Sequence, residues 1–305
     1  MTETGLGIKE RIKIVRASRS LNNLATTTLR GLFAITGRQP EFLIKHLPRT
    51  GLTAVKLPNG RLLKIEASGE EWIPTQLFWR GWQGYEPEMT GLFYNLAESA
   101  TTVLDVGAHT GFYSLLASLA NPQAKVFAFE PMPRVFASLE RNINLNDLKN
   151  VKCFRAAVGA ASGVQHFYFP DQEQPISSSL RSDMLVATFP ADSIKHVPVS
   201  VVTLDEFVVE HGIAHVDLIK LDTERTEHDV LAGALELLRR DRPDIICEVW
   251  PDAGNQNQLE DVLRPLGYHF FHLLPDKRTE RTEIVGSEQF LNYFFTVRPD
   301  AQGTT

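Results

Sequence analysis

The sequence predicts an α/β fold in which a mostly parallel sheet carries helices on both faces. Three observations support it. From about residue 100 onward, short apolar runs alternate with stretches of helical periodicity. The first run, Val103-Leu104-Asp105-Val106, passes through Gly107-Ala108-His109-Thr110-Gly111 straight into the amphipathic segment Phe112 to Leu119. Proline punctuates the junctions, at Pro131, Pro133 and Pro243.

In chain order, residues 1–50 form a basic helical extension. Lys9, Arg11, Lys13, Arg16, Arg19, Arg30, Arg38, Lys45 and Arg49 outnumber Glu3, Glu10 and Glu41 there. The spacing of Ile12 with Val15, Leu21 with Leu24 and Leu29 with Leu32 indicates amphipathic helices, packed on the main domain or on a second subunit of a homo-oligomer, with a membrane surface or anionic partner as the lesser alternative. Residues 51–99 follow as a second segment. It opens with an alternating stretch, 51–67, that turns at Pro58-Asn59-Gly60. Trp72, Phe78, Trp79, Trp82 and Tyr85 then form either an aromatic anchor or a lid. The main domain spans 100–300. Its seven strands are expected at 102–106, 125–130, 151–157, 216–221, 244–249, 267–273 and 289–296, with helices near 111–120, 133–145, 227–240 and 256–265. An insert, 164–204, holds strand-like pieces at 165–169 and 197–203 and the polar loop Ser177-Ser178-Ser179.

Composition narrows the function. A net charge of −6 disfavours nucleic-acid partners, which need a basic face. Cys153 and Cys247 sit in apolar runs and read as small buried hydrophobes, which fits a reducing, cytoplasmic location. Charges break up the first 20 residues, so no leader is expected. The segment Leu21 to Thr36 is too short and polar to span a bilayer.

The glycine turn offers backbone N–H groups at a helix start and close backbone approach. A dinucleotide fingerprint would need a second glycine where His109 stands. That departure weighs against the competing reading, a nicotinamide-dependent oxidoreductase. An acid ahead of the first glycine, Asp105, suits a ligand with a cationic end, and S-adenosylmethionine has an amino group, a sulfonium and no phosphate. Glu130 ends the second strand about 20 residues on, where such folds place a ribose-binding carboxylate. His109 lies in the turn and is expected to touch cofactor or acceptor. His228 is weighed mainly as a packing or capping residue. Asp222, Glu224 and Glu227 follow the fourth strand, and Glu248 ends the fifth. Carboxylates crowded on one rim raise one another's proton affinity, and their oxygens would also suit Mg²⁺.

The segments Val103–Gly111, Phe127–Pro131, Val201–Phe207 and Asp217–Ala234 resemble FkbM-type S-adenosylmethionine-dependent methyltransferases. The family hallmark, Ile-Lys-hydrophobic-Asp-x-Glu-Gly-x-Glu followed by Leu and Gly-Ala, is matched by Ile219, Lys220, Asp222, Glu224, Glu227, Leu231, Gly233 and Ala234. Arg225 stands where the family usually has Gly. The resemblance implies a Rossmann-like class I methyltransferase fold, with a mostly parallel seven-stranded sheet and an antiparallel last strand. It implies S-adenosylmethionine as cofactor and transfer to a hydroxyl of a small-molecule acceptor, a sugar or natural product. Gly107, Ala108, Thr110 and Gly111 would shape the cofactor turn, Asp105 orient the methionine end, and Glu130 with Pro131 hold the ribose. Ala157 would border the adenine, and Glu86, in the family's entry segment, would cover the cofactor. Asp222, Glu224 and Glu227 would face the acceptor. The departure at Arg225 leaves a second reading, a binding protein whose catalytic corner has drifted.

Overall fold

The computed structural model describes residues 18–36, 41, 44, 47–67, 71–171 and 178–299. The helix expected around Ile12 and Val15, its basic residues Lys9 to Arg16, and Arg38, Lys45 and Ser177 lie outside them. The chain forms two compact units, Met1–Glu86 and Pro87–Thr305, so the segment expected at 51–99 is shared between them.

The first unit comprises helix α1 (Arg19–Thr36), strands β1 (Gly51–Lys56) and β2 (Leu62–Ala67), and helix α2 (Trp72–Arg80). The strands pair antiparallel as a hairpin, from Gly51 opposite Ala67 to Lys56 opposite Leu62. Its turn closes with Gly60 N donating to Leu57 O, and Gly60 has φ 84°. From the aromatic stretch, Phe78 and Trp79 are buried with Ile44, and Leu29 and Phe33 pack on them. These rings are therefore an anchor for the extension inside this unit.

The second unit begins with α3 (Pro87–Ser99) and continues β3 (Thr102–Val106), α4 (Phe112–Ala120), β4 (Lys125–Phe129), α5 (Pro133–Leu145) and β5 (Val151–Phe154). The insert supplies β6 (Ala157–Val158), β7 (Gly163–Pro170), α6 (Asp183–Thr188) and β8 (Ile194–Val202). Then come α7 (Leu204–Glu210), β9 (Leu218–Leu221), α8 (Glu227–Ala232), α9 (Leu235–Asp241), β10 (Asp244–Glu248), α10 (Ala253–Leu263), β11 (His269–Leu274), β12 (Lys277–Arg281) and β13 (Asn292–Thr296).

The main sheet has the order β12-β11-β13-β10-β9-β3-β4-β5. Strands β10, β9, β3, β4 and β5 run parallel, and β13 enters antiparallel between β10 and β11. This is the α/β class expected, with the antiparallel strand at the C-terminus. The sheet has eight strands where seven were expected, because β12 pairs with β11 at the edge. The strand expected at 151–157 is split: β6 leaves the main sheet and joins β8 and β7 in a separate three-stranded sheet.

Strand residues alternate between two cores. Leu104, Val106, Phe127, Phe129, Ile219, Leu221, Ile245 and Cys247 pack with Phe207, Val230, Leu238 and Leu259 from α7, α8, α9 and α10. The intervening residues Asp105 and Lys220 meet α4 instead, through Ser114 and Tyr113. Helices thus cover both faces.

Candidate active site

The chain leaves β3 outward to β4 and β5, then returns to β9 on the other side of β3. That reversal makes the carboxyl ends of β3 and β9 the switch point of the sheet, the place where open α/β sheets bind ligands. Two loops are stitched together there. Asp222 N donates to Val106 O at 3.1 Å. Gly107 has φ 77°, and a Cβ on it would lie 1.8 Å from the carbonyl oxygen of Asp222. The space this glycine leaves is thus filled by the protein's own backbone.

The glycine turn is internally bonded. Gly107 N and Ala108 N both donate to Phe129 O, at 3.1 and 2.9 Å. Gly111 takes φ 93° at the start of α4, where a Cβ would meet Leu139. His109 (φ 49°) donates its backbone N–H to Glu130 Oε2 at 3.0 Å, and Met132 N donates to Oε1 at 2.8 Å. Burial pushes the Glu130 carboxyl up to about 7, against the pull of these two N–H groups. Asp105 is fully buried in mid-strand. Ser114 Oγ donates to its Oδ2 at 2.5 Å, whereas Oδ1 has no hydrogen-bond partner. Burial raises this carboxyl despite the attraction of Lys220. Thr110 Oγ1 is also buried without a partner. Ala108, Pro131 and Ala157 are buried, each within three residues after the end of β3, β4 or β5. Glu86 is the last residue of the first unit, half-buried, with φ 42°.

Lys220 joins this corner to the acidic loop. It stands in register with Asp105 on the adjacent strand, is 4% exposed, and places Nζ 2.8 Å from Asp222 Oδ2 and 5.1 Å from the Tyr113 ring centroid. For Asp222, burial favours the neutral form, but the charge and hydrogen bond of Lys220 outweigh it and hold the carboxyl below its ordinary value. Glu224 moves the other way. Burial, then Asp222 and Glu227, push it well above the ordinary range, more than Arg225 and Lys220 pull it down. Carboxylate oxygens of Asp222, Glu224 and Glu248 lie within 4.8 Å of one another.

Glu227 is fully buried, and its carboxylate is engaged on both oxygens. Oε1 accepts from Thr223 N, Thr223 Oγ1 and Arg225 N at 2.9 to 3.1 Å, and Oε2 accepts from Asn255 Nδ2 at 3.2 Å. It shapes the loop from beneath. His228 bonds the same asparagine, Nδ1 to Asn255 Oδ1 at 2.9 Å, as a packing residue would. Glu224 and Arg225 have φ 56° and 71°, two successive left-handed residues. The Arg225 guanidinium lies 5.2 Å from the Trp250 ring centroid, and Trp250 Nε1 donates to Glu248 Oε2 at 2.8 Å. Ser179 Oγ, from the insert, donates to the Glu224 carbonyl at 2.9 Å.

The sequence-expected residues Asp105, Gly107, Asp222, Glu224 and Glu227 thus come together at the switch point, with Glu130 bonded to its glycine turn. Glu248, expected on the same rim, belongs to it too, as do Lys220 and Trp250, which were not singled out as site residues. A lysine inside an apolar strand, two residues ahead of an acid, was the available signal for Lys220.

Residues 105–272 match the model of the methyltransferase FkbM domain. The chain is 28% identical over 214 residues to methyltransferase sdnD of Sordaria araneosa, covering 60% of this chain and 80% of that protein. It is 29% identical over 188 residues to 31-O-demethyl-FK506 methyltransferase FkbM of Streptomyces tacrolimicus, covering 54% and 72%. It is 29% identical over 154 residues to 2-O-methyltransferase NoeI of Sinorhizobium fredii, covering 46% and 60%. With more than half of its length matched by that domain, and with the domain's acids gathered at the switch point of its sheet, the chain belongs to the FkbM methyltransferase family.

Proposed function

We propose that this protein is an S-adenosylmethionine-dependent O-methyltransferase whose acceptor is a small molecule bearing a hydroxyl, of the sugar or natural-product kind. Two relatives bear O-methylation in their names. The donor corner has groups that suit S-adenosylmethionine. Asp105 Oδ1 and Thr110 Oγ1 are buried polar atoms without partners, and unsatisfied buried groups call for a ligand. In this reading Asp105 faces the methionine end, and Glu130 takes ribose hydroxyls on lone pairs left beside its two N–H bonds. Gly107, Ala108, His109, Thr110, Gly111, Pro131 and Ala157 form the walls.

The observation that carries the chemistry is the pair Asp222 and Glu224. Neighbours on one loop, they have proton affinities pushed in opposite directions. The bound donor supplies an electrophilic methyl carbon on a sulfonium, which departs as a thioether. The protein aligns the acceptor oxygen with that carbon and excludes water. As the new O–C bond forms, the hydroxyl proton passes to Glu224, whose raised affinity makes it the stronger proton acceptor of the pair. Asp222, held ionised by Lys220, orients the hydroxyl. Glu227 acts as a positioning residue through the backbone of residues 223 and 225.

Asp222, Glu224 and Glu248 could gather a divalent cation, but the Lys220 ammonium already occupies Asp222 Oδ2 and the Trp250 indole N–H occupies Glu248 Oε2. The proposed reaction is therefore metal-independent, and activity should survive EDTA. Glu224→Gln tests the base directly, with formation of S-adenosylhomocysteine followed across a panel of hydroxyl acceptors. The expected result is a fall of roughly 10²–10⁴-fold in turnover with donor affinity unchanged. Retention of full activity would remove Glu224 from the mechanism. No turnover by the native protein on any acceptor, with the donor still bound, would favour the drifted binding protein.

A further inference from the structure

Helix α1 packs Leu29 and Phe33 inward and presents a second apolar stripe outward. Leu21, Leu24, Leu32 and Ile35 are 47%, 67%, 51% and 84% exposed, four of the twelve large apolar side chains exposed among the described residues. Its inward face is partly polar and well bonded. Asn22 Nδ2 donates to Pro48 O at 2.8 Å, Thr50 N donates to Asn22 Oδ1 at 3.1 Å, and Arg49 Nη1 donates to Thr26 Oγ1 at 2.7 Å. These bonds fix the rotation of the helix, so the outward stripe is built in.

At 3.6 residues per turn, Leu21, Leu24, Thr28, Leu32 and Ile35 fall within one stripe about 80° wide. The spacing reads the same from either end about Thr28, three-four-four-three. A two-fold antiparallel pairing requires that symmetry, because residue i must meet residue j and j must meet i. With the axis at Thr28, Leu21 faces Ile35 of the copy, Leu24 faces Leu32, and Ala25 faces Gly31. Thr28, Ala25 and Gly31 are small, and a Cβ on Gly31 would meet nothing within 4 Å, which leaves room for close approach.

The charge distribution selects the same occupant. Ser20 and Thr27 beside the stripe are uncharged. Arg19 and Arg30 lie on the opposite side, Arg19 paired with Glu66 at 3.4 Å and Arg30 stacked 4.8 Å from the Phe78 ring centroid. An anionic membrane surface would favour cations flanking the apolar stripe. We propose that α1 is a dimerisation seam, pairing antiparallel with α1 of a second copy of this chain. The seam alone is smaller than the roughly 800 Å² per partner of a standard stable interface, so the dimer should dissociate on dilution.

Sedimentation of the full chain between about 1 and 100 µM tests the proposal. The native protein should pass from monomer to dimer across that range. Leu24→Glu and Leu32→Lys, both at exposed positions, should each leave it monomeric with an unchanged circular dichroism spectrum. The double variant sets a carboxylate opposite an ammonium at both symmetry-related contacts and should dimerise again. Thr28→Cys should give a disulfide-linked dimer on mild oxidation. A native protein monomeric throughout, a dimer indifferent to Leu24→Glu, or failure of the double variant to recover would overturn the seam. So would a monomer that floats with anionic vesicles.

Discussion

Arg225 holds a backbone conformation that glycine adopts freely and a side chain with Cβ does not, at a cost of about 1 kcal/mol. Its stacking on Trp250 offsets part of that, on the order of 0.5–1 kcal/mol. The two terms make an ordering testable by urea denaturation. Arg225→Ala keeps the strain and loses the stack, so it should be less stable than the native protein by about 1 kcal/mol. Arg225→Gly loses the stack but relieves the strain, and should lie close to native. An alanine variant more stable than the glycine variant would contradict this account. At this scale the acids were legible in the sequence because each stands within or just beyond an apolar run: Asp105, Glu130, Asp222 and Glu224. The left-handed pair at 224 and 225 was not read, although the family's Gly at the place of Arg225 marks one of the two. Glu227 also read differently, as a group facing the acceptor, because its four hydrogen bonds come partly from Asn255, 28 residues away.

Two glycines tie elements together by leaving space for backbone. A Cβ on Gly107 would stand 1.8 Å from Asp222 O, and one on Gly233 would stand 2.2 Å from Gly159 O. Gly107→Ala should destabilise by on the order of 3–5 kcal/mol or prevent folding, since it adds left-handed strain to the clash. Gly233→Ala, without positive φ, should cost about 1–3 kcal/mol. Thermal denaturation of the pair checks the order, and equal midpoints would refute it. Gly233 also explains why the helix expected at 227–240 is two, α8 and α9, packed over the insert at that point. Strand β12 escaped the sequence reading because Lys277-Arg278-Thr279-Glu280-Arg281 has no apolar residue; a charged edge strand discourages pairing with other chains. The split between β5 and β6 depends on a partner, β8, more than 40 residues later, which no local pattern reports.

For the whole molecule, the buried carboxyls set a pH dependence. Asp105, Glu130, Glu224 and Glu227 are all raised above their ordinary values, chiefly by burial. The folded protein therefore binds protons that the unfolded chain releases near pH 4.3. Their contribution to stability is complete below that pH and is lost as pH rises through the folded values, about 7 for Glu130. Thermal midpoints of the native protein should fall from pH 5 to 7 relative to those of Glu130→Gln, and parallel profiles would show that Glu130 is ionised throughout. Charge is also divided unevenly along the chain, with 13 Lys and Arg against 7 Asp and Glu in residues 1–86 and 18 against 30 in the rest. Among the described residues no helix is long and apolar enough to cross a membrane.

The central claim is that the methyl donor lies at the switch point between β3 and β9, held by Asp105 and Glu130, with Glu224 beyond it on the acceptor side. Calorimetric titration of S-adenosylmethionine into three proteins measures it: native, Asp105→Asn/Glu130→Gln, and Glu224→Gln. Two lost charge-assisted contacts should weaken binding to the double variant at least about 100-fold, while Glu224→Gln binds as the native protein does. A folded double variant with native affinity would place the donor elsewhere and contradict the account.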